Sequence, residues 1–303
     1  MITNREQTAS TLLDEKNLRP ETLLENYLSV ALSLRVCSLM TIPAEFPDAD
    51  AIARAVDLAC IDDYRRISSE TDVRKKARSI QEFKDRLREA CQEKIRSSLS
   101  YRSHIAWVDR LSLQVHEVEV RPTIKELFFY KDKDTERRLE ELSKSRIEFR
   151  KKFLRNLRKP LARSTAAYPE EYSPEYVLRA GELLGYPKCC VEVYVQGRTN
   201  GNVAAEERAS RQIRIGRAQG VEPELYAYFV KDFIPCIPTC SNASAVGQKL
   251  SEGFRQFDNR LGELYVQCLR ENVSGIESYA ERIEAHREKM KAQAQQLGIK
   301  TLR

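Results

Sequence analysis

Apolar residues recur at steps of three and four along most of this chain, and that period leaves room for little besides helices. Pro20 and Glu21 open a helix predicted to run to about Met40, with Leu24, Tyr27, Leu28, Ala31 and Leu34 on one face. Asp48 or Asp50 caps a helix predicted through about Asp62, after a loop over Thr41–Asp48. Beyond Thr71 or Asp72, the residues Val73, Ala77, Ile80, Phe83, Leu87, Cys91 and Ile95 form the clearest stripe of the N-terminal half. A charged helix is predicted from Asp134 to about Lys159. Ser173-Pro174-Glu175 supplies a cap, a first-turn proline and an acidic first turn, and Gly185 suits a left-handed helix end. The chain is again helical from Leu261 to Leu297, with Gly275 as the expected interruption.

The period changes once. Leu111, Leu113 and Val115 alternate with polar residues, and Val118 and Val120 resume one step out of phase. This predicts a strand with a bulge at His116-Glu117, ended by Pro122 and paired with Ser103–Val108. The predicted fold class is therefore mainly α: a helical N-terminal region with a small β element, followed by a cysteine-containing helical domain. Pro160–Pro169 reads as a linker. It divides a helical region over 1–160, with its strand pair near 103–121, from a cysteine-motif domain over 170–260 and a C-terminal helix over 261–303.

Composition narrows the setting. With 42% hydrophobic and 32% charged residues in 303, the chain is too apolar to be disordered and has the make-up of a soluble protein. Its most apolar stretch, Leu23 to Met40, carries Glu25, Asn26 and Arg35, which are costly at a bilayer centre, so no membrane association is expected. The opening Met1-Ile2-Thr3-Asn4-Arg5-Glu6-Gln7 is too polar for a signal peptide, and a cytoplasmic setting is expected. There, thiols stay reduced unless they hold a metal or do redox work.

That makes the eight cysteines informative. Four fall in two compact groups, Gly185-Tyr186-Pro187-Lys188-Cys189-Cys190 and Pro235-Cys236-Ile237-Pro238-Thr239-Cys240, with forty-five residues between Cys190 and Cys236. Pro187 suits the first turn of a new helix, which would place Cys189 and Cys190 in that turn. Prolines at 235 and 238 forbid regular helix around Cys236, and Thr239 or Ser241 can cap a helix through Val246, Leu250, Phe254 and Phe257. Cysteines at helix N-termini are biased toward thiolate, the form that metals and redox chemistry require. Buried packing, dithiol redox chemistry and a metal centre all remain open, and the tight grouping at loop-to-helix joints favours the metal. Neither group has the C-x2-C spacing common in structural zinc sites. Adjacent cysteines reach two sides of a larger object more readily than two corners of one tetrahedron. That favours an iron–sulfur cluster, such as 4Fe-4S, over zinc as the cofactor of Cys189, Cys190, Cys236 and Cys240.

Leu184-Gly185-Tyr186-Pro187-Lys188-Cys189-Cys190-Val191-Glu192 and Phe233-Ile234-Pro235-Cys236-Ile237-Pro238-Thr239-Cys240 together resemble a prokaryotic family of unknown function. That family carries a Gly-Tyr-Pro-x-Cys-Cys element followed by Pro-Cys-x-x-x-Cys. The resemblance covers about Tyr172 to Phe257 and implies a cysteine-rich domain, with no activity to carry over. A Cys-Cys pair joined to a later pair is also similar to the cysteine-rich CCG domain of heterodisulfide reductase. This chain departs from it at Val191, where that domain has glycine, and in its C-x3-C spacing.

The other cysteines, Cys37, Cys60, Cys91 and Cys268, sit among apolar residues and are read as core. Tyr186 and Tyr194 bracket the cysteine pair, and Lys188 and Arg198 are candidates to lower a thiolate pKa or orient an anion. Between Lys144 and Arg163 stand nine basic residues and one acidic one, Glu148, which exceeds the whole chain's net charge of +6. The commoner reading is a solvated helix face. The functional one is an RNA, protein or phosphorylated-ligand surface through Arg150, Lys151, Lys152 and Arg155. His104 and His116 flank the predicted sheet and are read as packed or surface residues. No Gly-rich phosphate loop, His-Glu-x-x-His or Gly-x-Ser-x-Gly is present, so the sequence names no reaction.

Overall fold

A computed structural model describes residues 5–156, 168–199, 205–231 and 233–296. The fold is mainly helical with one small antiparallel sheet. The linker expected over Pro160–Pro169 lies, apart from its last two residues, outside the described residues.

The sheet has three strands in the order β1 (Ser38–Ile42), β3 (Ile124–Tyr130), β2 (Gln114–Arg121). Two sequence expectations change here. The helix predicted to Met40 stops at Ala31, after a π-helical stretch over Leu23–Leu28. Ser33 turns the chain with a φ of 58°, the N–H groups of Leu34 and Arg35 close back on the Ser29 carbonyl, and Ser38 to Ile42 then pair with β3. The partner of β2 is β3 across a turn at Pro122-Thr123, and not Ser103–Val108. That segment lies in the helix Leu99–Arg110, whose N-terminus is capped by Ser98 Oγ accepting from the Tyr101 N–H. The irregularity in β2 falls between Glu119 and Arg121 instead of at His116-Glu117.

The central strand shows why alternation could not reveal it. Leu127 and Phe129 face the main core, whereas Phe128 and Tyr130 face a second one with Cys37, Leu139, Leu142, Tyr176, Leu183 and Leu184. A strand buried on both faces reads as a continuous apolar run. The main core draws on residues from Ala9 to Ile276. Tyr27, Phe46, Phe129, Tyr228, Phe229, Phe254 and Tyr265 are its largest fully enclosed rings.

Elsewhere the helical reading holds with shifted ends. Asp72 caps Val73–Ser97, accepting from the N–H groups of Arg74 and Lys75. Only Cys91 and Ile95 of that helix's stripe are buried; Val73 stays exposed. The helix from Ala49 ends at Ala59, short of Asp62, and a second helix, Ile61–Ser69, follows Cys60. Lys133–Asn156 forms the charged helix. The C-terminal break falls at Ser278, between Asn259–Glu277 and Tyr279–Gln296, and Gly275 lies inside the first of these. No helix among the described residues is long and apolar enough to cross a membrane.

Candidate metal centre

Three helix starts and one helix end build the site. Ser173 caps the helix Pro174–Leu183, its Oγ accepting from the Tyr176 N–H. Gly185 turns the chain with φ at 71°, a conformation costly for residues with a Cβ, and the Tyr186 N–H returns to the Gly181 carbonyl at 2.8 Å. The helix Lys188–Thr199 starts two residues later. The Pro187 carbonyl accepts from the Cys190 and Val191 N–H groups, so Pro187 stands at the cap and both cysteines lie in the first turn. On the other side, Cys240 itself occupies the N-cap of Ser241–Phe257, the position expected for Thr239 or Ser241. Gly247 lets this helix rest on the backbone of the short 3-10 helix Leu225–Tyr228: a Cβ there would stand 2.1 Å from the Tyr226 carbonyl oxygen.

These joints bring Cys189, Cys190, Cys236 and Cys240 together, with all four sulfurs within 4.8 Å of one another. Cys189 and Cys190 are 3.8 Å apart at Sγ, Cys189 and Cys240 are 3.8 Å apart, and Cys190 and Cys240 are 3.7 Å apart. Cys190 and Cys240 are buried, Cys189 and Cys236 half-buried, and none forms a disulfide. Two helix N-termini converge on the sulfurs, adding partial positive charge where thiolates would stand.

Three further groups address the sulfurs. Asn242 Nδ2 donates to Cys189 Sγ at 3.5 Å and holds that thiol below its ordinary range. The Cys236 N–H donates to Cys190 Sγ at 3.4 Å, yet burial pushes the Cys190 and Cys236 thiols up. Arg208, on the helix Ala205–Ala218, is held below the ordinary arginine range by burial, which the nearby Cys236 and Cys190 only partly offset. Its Nη2 makes a long contact of 3.5 Å to the Pro235 carbonyl, and its buried Nε has no partner. A polar residue two positions after Cys240 was a local signal for Asn242; nothing in the sequence pointed to Arg208.

Lys188 and Arg198 do not take the part expected of them. Lys188 points to solvent and pairs with Glu192 at 3.7 Å. Arg198 is held by Glu171 at 2.6 Å and by the Tyr194 hydroxyl at 2.9 Å. Tyr186 packs on Phe233, and Tyr186 and Tyr194 share a cavity wall with Cys190. Within the basic segment, Arg146 is buried between Glu126 and Glu170, and Arg150 reaches Glu170 and the Val120 carbonyl. Lys151, Lys152 and Arg155 are exposed, while Arg158, Lys159 and Arg163 lie outside the described residues. His104 is buried against the Tyr27 hydroxyl, 2.7 Å from Nδ1, and burial lowers its pKa to about 4. His116 bonds Ser143 at 2.8 Å.

The fold and this cluster define a mainly helical protein with four cysteines close enough together to be able to hold a metal. A family model described as "Protein of unknown function (DUF483)" matches residues 110–265, just over half of the chain, and the chain belongs to that family. The match takes in the β2–β3 hairpin and all four clustered cysteines. No curated protein and no solved structure matches the chain.

Proposed function

We propose that Cys189, Cys190, Cys236 and Cys240 hold one zinc ion in a closed site of four thiolates. The observation that carries this reading is the sulfur spacing, 3.7 and 3.8 Å among Cys189, Cys190 and Cys240, with Cys236 Sγ within 4.8 Å of each. A tetrahedron with Zn–S bonds of about 2.3 Å has edges of about 3.8 Å. A cluster interposes several iron and sulfide atoms between its ligands and needs them farther apart, so the spacing weighs against the cluster that cysteine adjacency favoured. Four soft ligands and no histidine or carboxylate in the group suit zinc.

The ion would supply the positive charge that four neighbouring thiolates need, two of them in a setting that otherwise favours the protonated thiol. It would also tie the helix Lys188–Thr199 to Ser241–Phe257. A fully ligated site of this kind is a structural one.

Metal analysis of protein purified anaerobically from metal-replete cells tests this. One zinc per chain is expected, with no acid-labile sulfide, and cobalt exchange should give the intense visible absorption of a tetrahedral thiolate site. Iron with sulfide would restore the cluster reading. A folded, metal-free protein with a reversible disulfide among these cysteines would replace both with dithiol chemistry.

A further inference from the structure

A cavity of about 410 Å³ opens beside the cysteine centre, where the sheet, the helices Pro174–Leu183 and Lys188–Thr199 and the loop at Phe233-Ile234 meet. All its lining residues except Leu39, Thr41 and Glu45 fall within the family-matched 110–265. Its volume is in the range of small-molecule sites, roughly 300–1,000 Å³.

We propose that this cavity binds a small organic cation, an amine carried on an apolar or aromatic body.

The charge of the wall sets the sign. Five carboxylates and two guanidiniums line the cavity. Both guanidiniums are already engaged: Arg146 by Glu126 and Glu170, and Arg198 by Glu171. Arg150 reaches Glu170 from outside the lining, so among the described residues the lining carboxylates outnumber the guanidiniums paired with them five to three. Burial pushes the Glu171 carboxyl up despite its Arg198 partner, whereas Arg150 and Arg146 hold Glu170 below its ordinary range against burial, so the positive charge is gathered at Glu170 and is thinner at Glu171. An anionic ligand would add to that excess; a cation would relieve it.

The aromatic content sets the body. Six aromatic side chains line the space. Tyr186 and Phe233, with centroids 4.9 Å apart, give an apolar wall next to Cys190. The site already uses ring faces to hold cations: Arg146 lies over the Tyr176 ring at 5.8 Å and Arg198 over the Tyr194 ring at 5.2 Å. Aromatic faces beside carboxylates are the ordinary means of holding an ammonium group. The polar wall is also rigid. Glu126, Arg146 and Glu170 are each nine-tenths or more buried and locked to one another, so little ordering is left to the ligand. Binding requires no metal at the sulfurs; Cys190 enters only as part of the wall.

Three probes of one shape and different charge test this on the full chain: phenethylamine, 2-phenylethanol and 3-phenylpropionate, titrated by NMR. Phenethylamine should bind saturably and at least about tenfold more tightly than the carboxylate, the effect of one charge-assisted contact. Glu171→Gln should weaken it by about tenfold. Glu206→Gln, on the half-buried wall, provides a second charge variant should the first fail to fold, and Val177→Trp should narrow the space and weaken binding. No binding by any probe, equal binding of cation and carboxylate, or cation binding undiminished by Val177→Trp in a folded protein would overturn the proposal.

Discussion

The eight cysteines divide into two sets with the same side chain and opposite surroundings. Cys37, Cys60, Cys91 and Cys268 are each buried and apart from the cluster. Burial pushes all four thiols up, Cys37 to about 12. The clustered set is no less costly to ionise where it is buried, as Cys190 shows, but it has compensation. Asn242 donates to Cys189, Arg208 lies beside Cys236, and two helix N-termini aim at the sulfurs. What separates the two sets is not burial but the company of other thiols, the Asn242 donor and the two helix N-termini at the sulfurs.

The strongest way to break this division is to remove the sulfurs one at a time. Alanine at Cys189, Cys190, Cys236 or Cys240 is expected to take bound zinc from one per chain to near none. Alanine at any of the other four should leave zinc in place. Structural zinc sites bind with about 10–16 kcal/mol, comparable to the whole stability of a single domain at about 5–15 kcal/mol, so chelation should also unfold the cysteine region. Metal analysis and circular dichroism with and without chelator read both effects. Zinc retained in a Cys240→Ala protein would erase the distinction.

The uncompensated interior makes a prediction of its own. Glu25, which raises the pKa of Cys268, is fully buried and accepts from the Lys231 N–H at 2.9 Å and Asn272 Nδ2 at 3.1 Å. Those bonds do not offset burial, and its carboxyl is pushed up to about 8. The folded protein therefore keeps the proton between pH 4.5 and about 8, where the unfolded chain has released it. That stability is complete below the unfolded value and is lost as pH rises through the folded one, at about 1.4 kcal/mol per unit within the window. Urea unfolding at pH 5 and pH 9 should show a loss of a few kcal/mol from this residue, absent in Glu25→Gln. A wild-type loss that persists undiminished in the variant would put the titration elsewhere.

A smaller effect is expected at Arg208. A site of four thiolates and one divalent ion carries two net negative charges, and Arg208, though burial works against its charge, is near enough to Cys236 and Cys190 to offset part of them. Arg208→Gln should weaken zinc by about 10- to 100-fold, as loss of an outer-shell partner usually does, while Arg208→Lys restores part of it. Competition with a chromophoric chelator measures this. Unchanged affinity would leave only the helix N-termini and Asn242 as compensation.

How far the sequence revealed these features depended on whether the signal was local. The cysteine joints were legible because Gly185, Pro187, Pro235 and Pro238 punctuate the chain next to the sulfurs, and stops and starts are short-range properties. The helix starting after Asp72 and the one after Ser173 were legible for the same reason. β3 was not, because Leu127 to Tyr130 are buried on both faces and show no alternation. β1 was hidden because Ser38 to Ile42 continue an apolar run begun by a helix. The acidic partners of Arg146 and Arg150 stand twenty or more residues away, so the segment read as a uniform basic face. Arg208 and the cavity were beyond reach, since only the folded chain brings their neighbours together.

The smallest expected effect tests the other half of the comparison. Cys268 lies on Asn259–Glu277, buried in the main core. If it is only a packing residue, Cys268→Ala removes one buried heavy atom and should cost about 1 kcal/mol. Cys268→Ser places a hydroxyl in the same apolar space and should cost more, about 1–3 kcal/mol, although serine is nearly the same size. Zinc content should match wild type in both. That order, serine worse than alanine at constant metal, is what a buried hydrophobe produces and a ligand does not. At Cys240 the order should vanish, because either substitution removes the thiolate and with it the metal. Unfolding curves for the four variants, each paired with a zinc measurement, would show whether the two sets of cysteines differ in kind or only in degree.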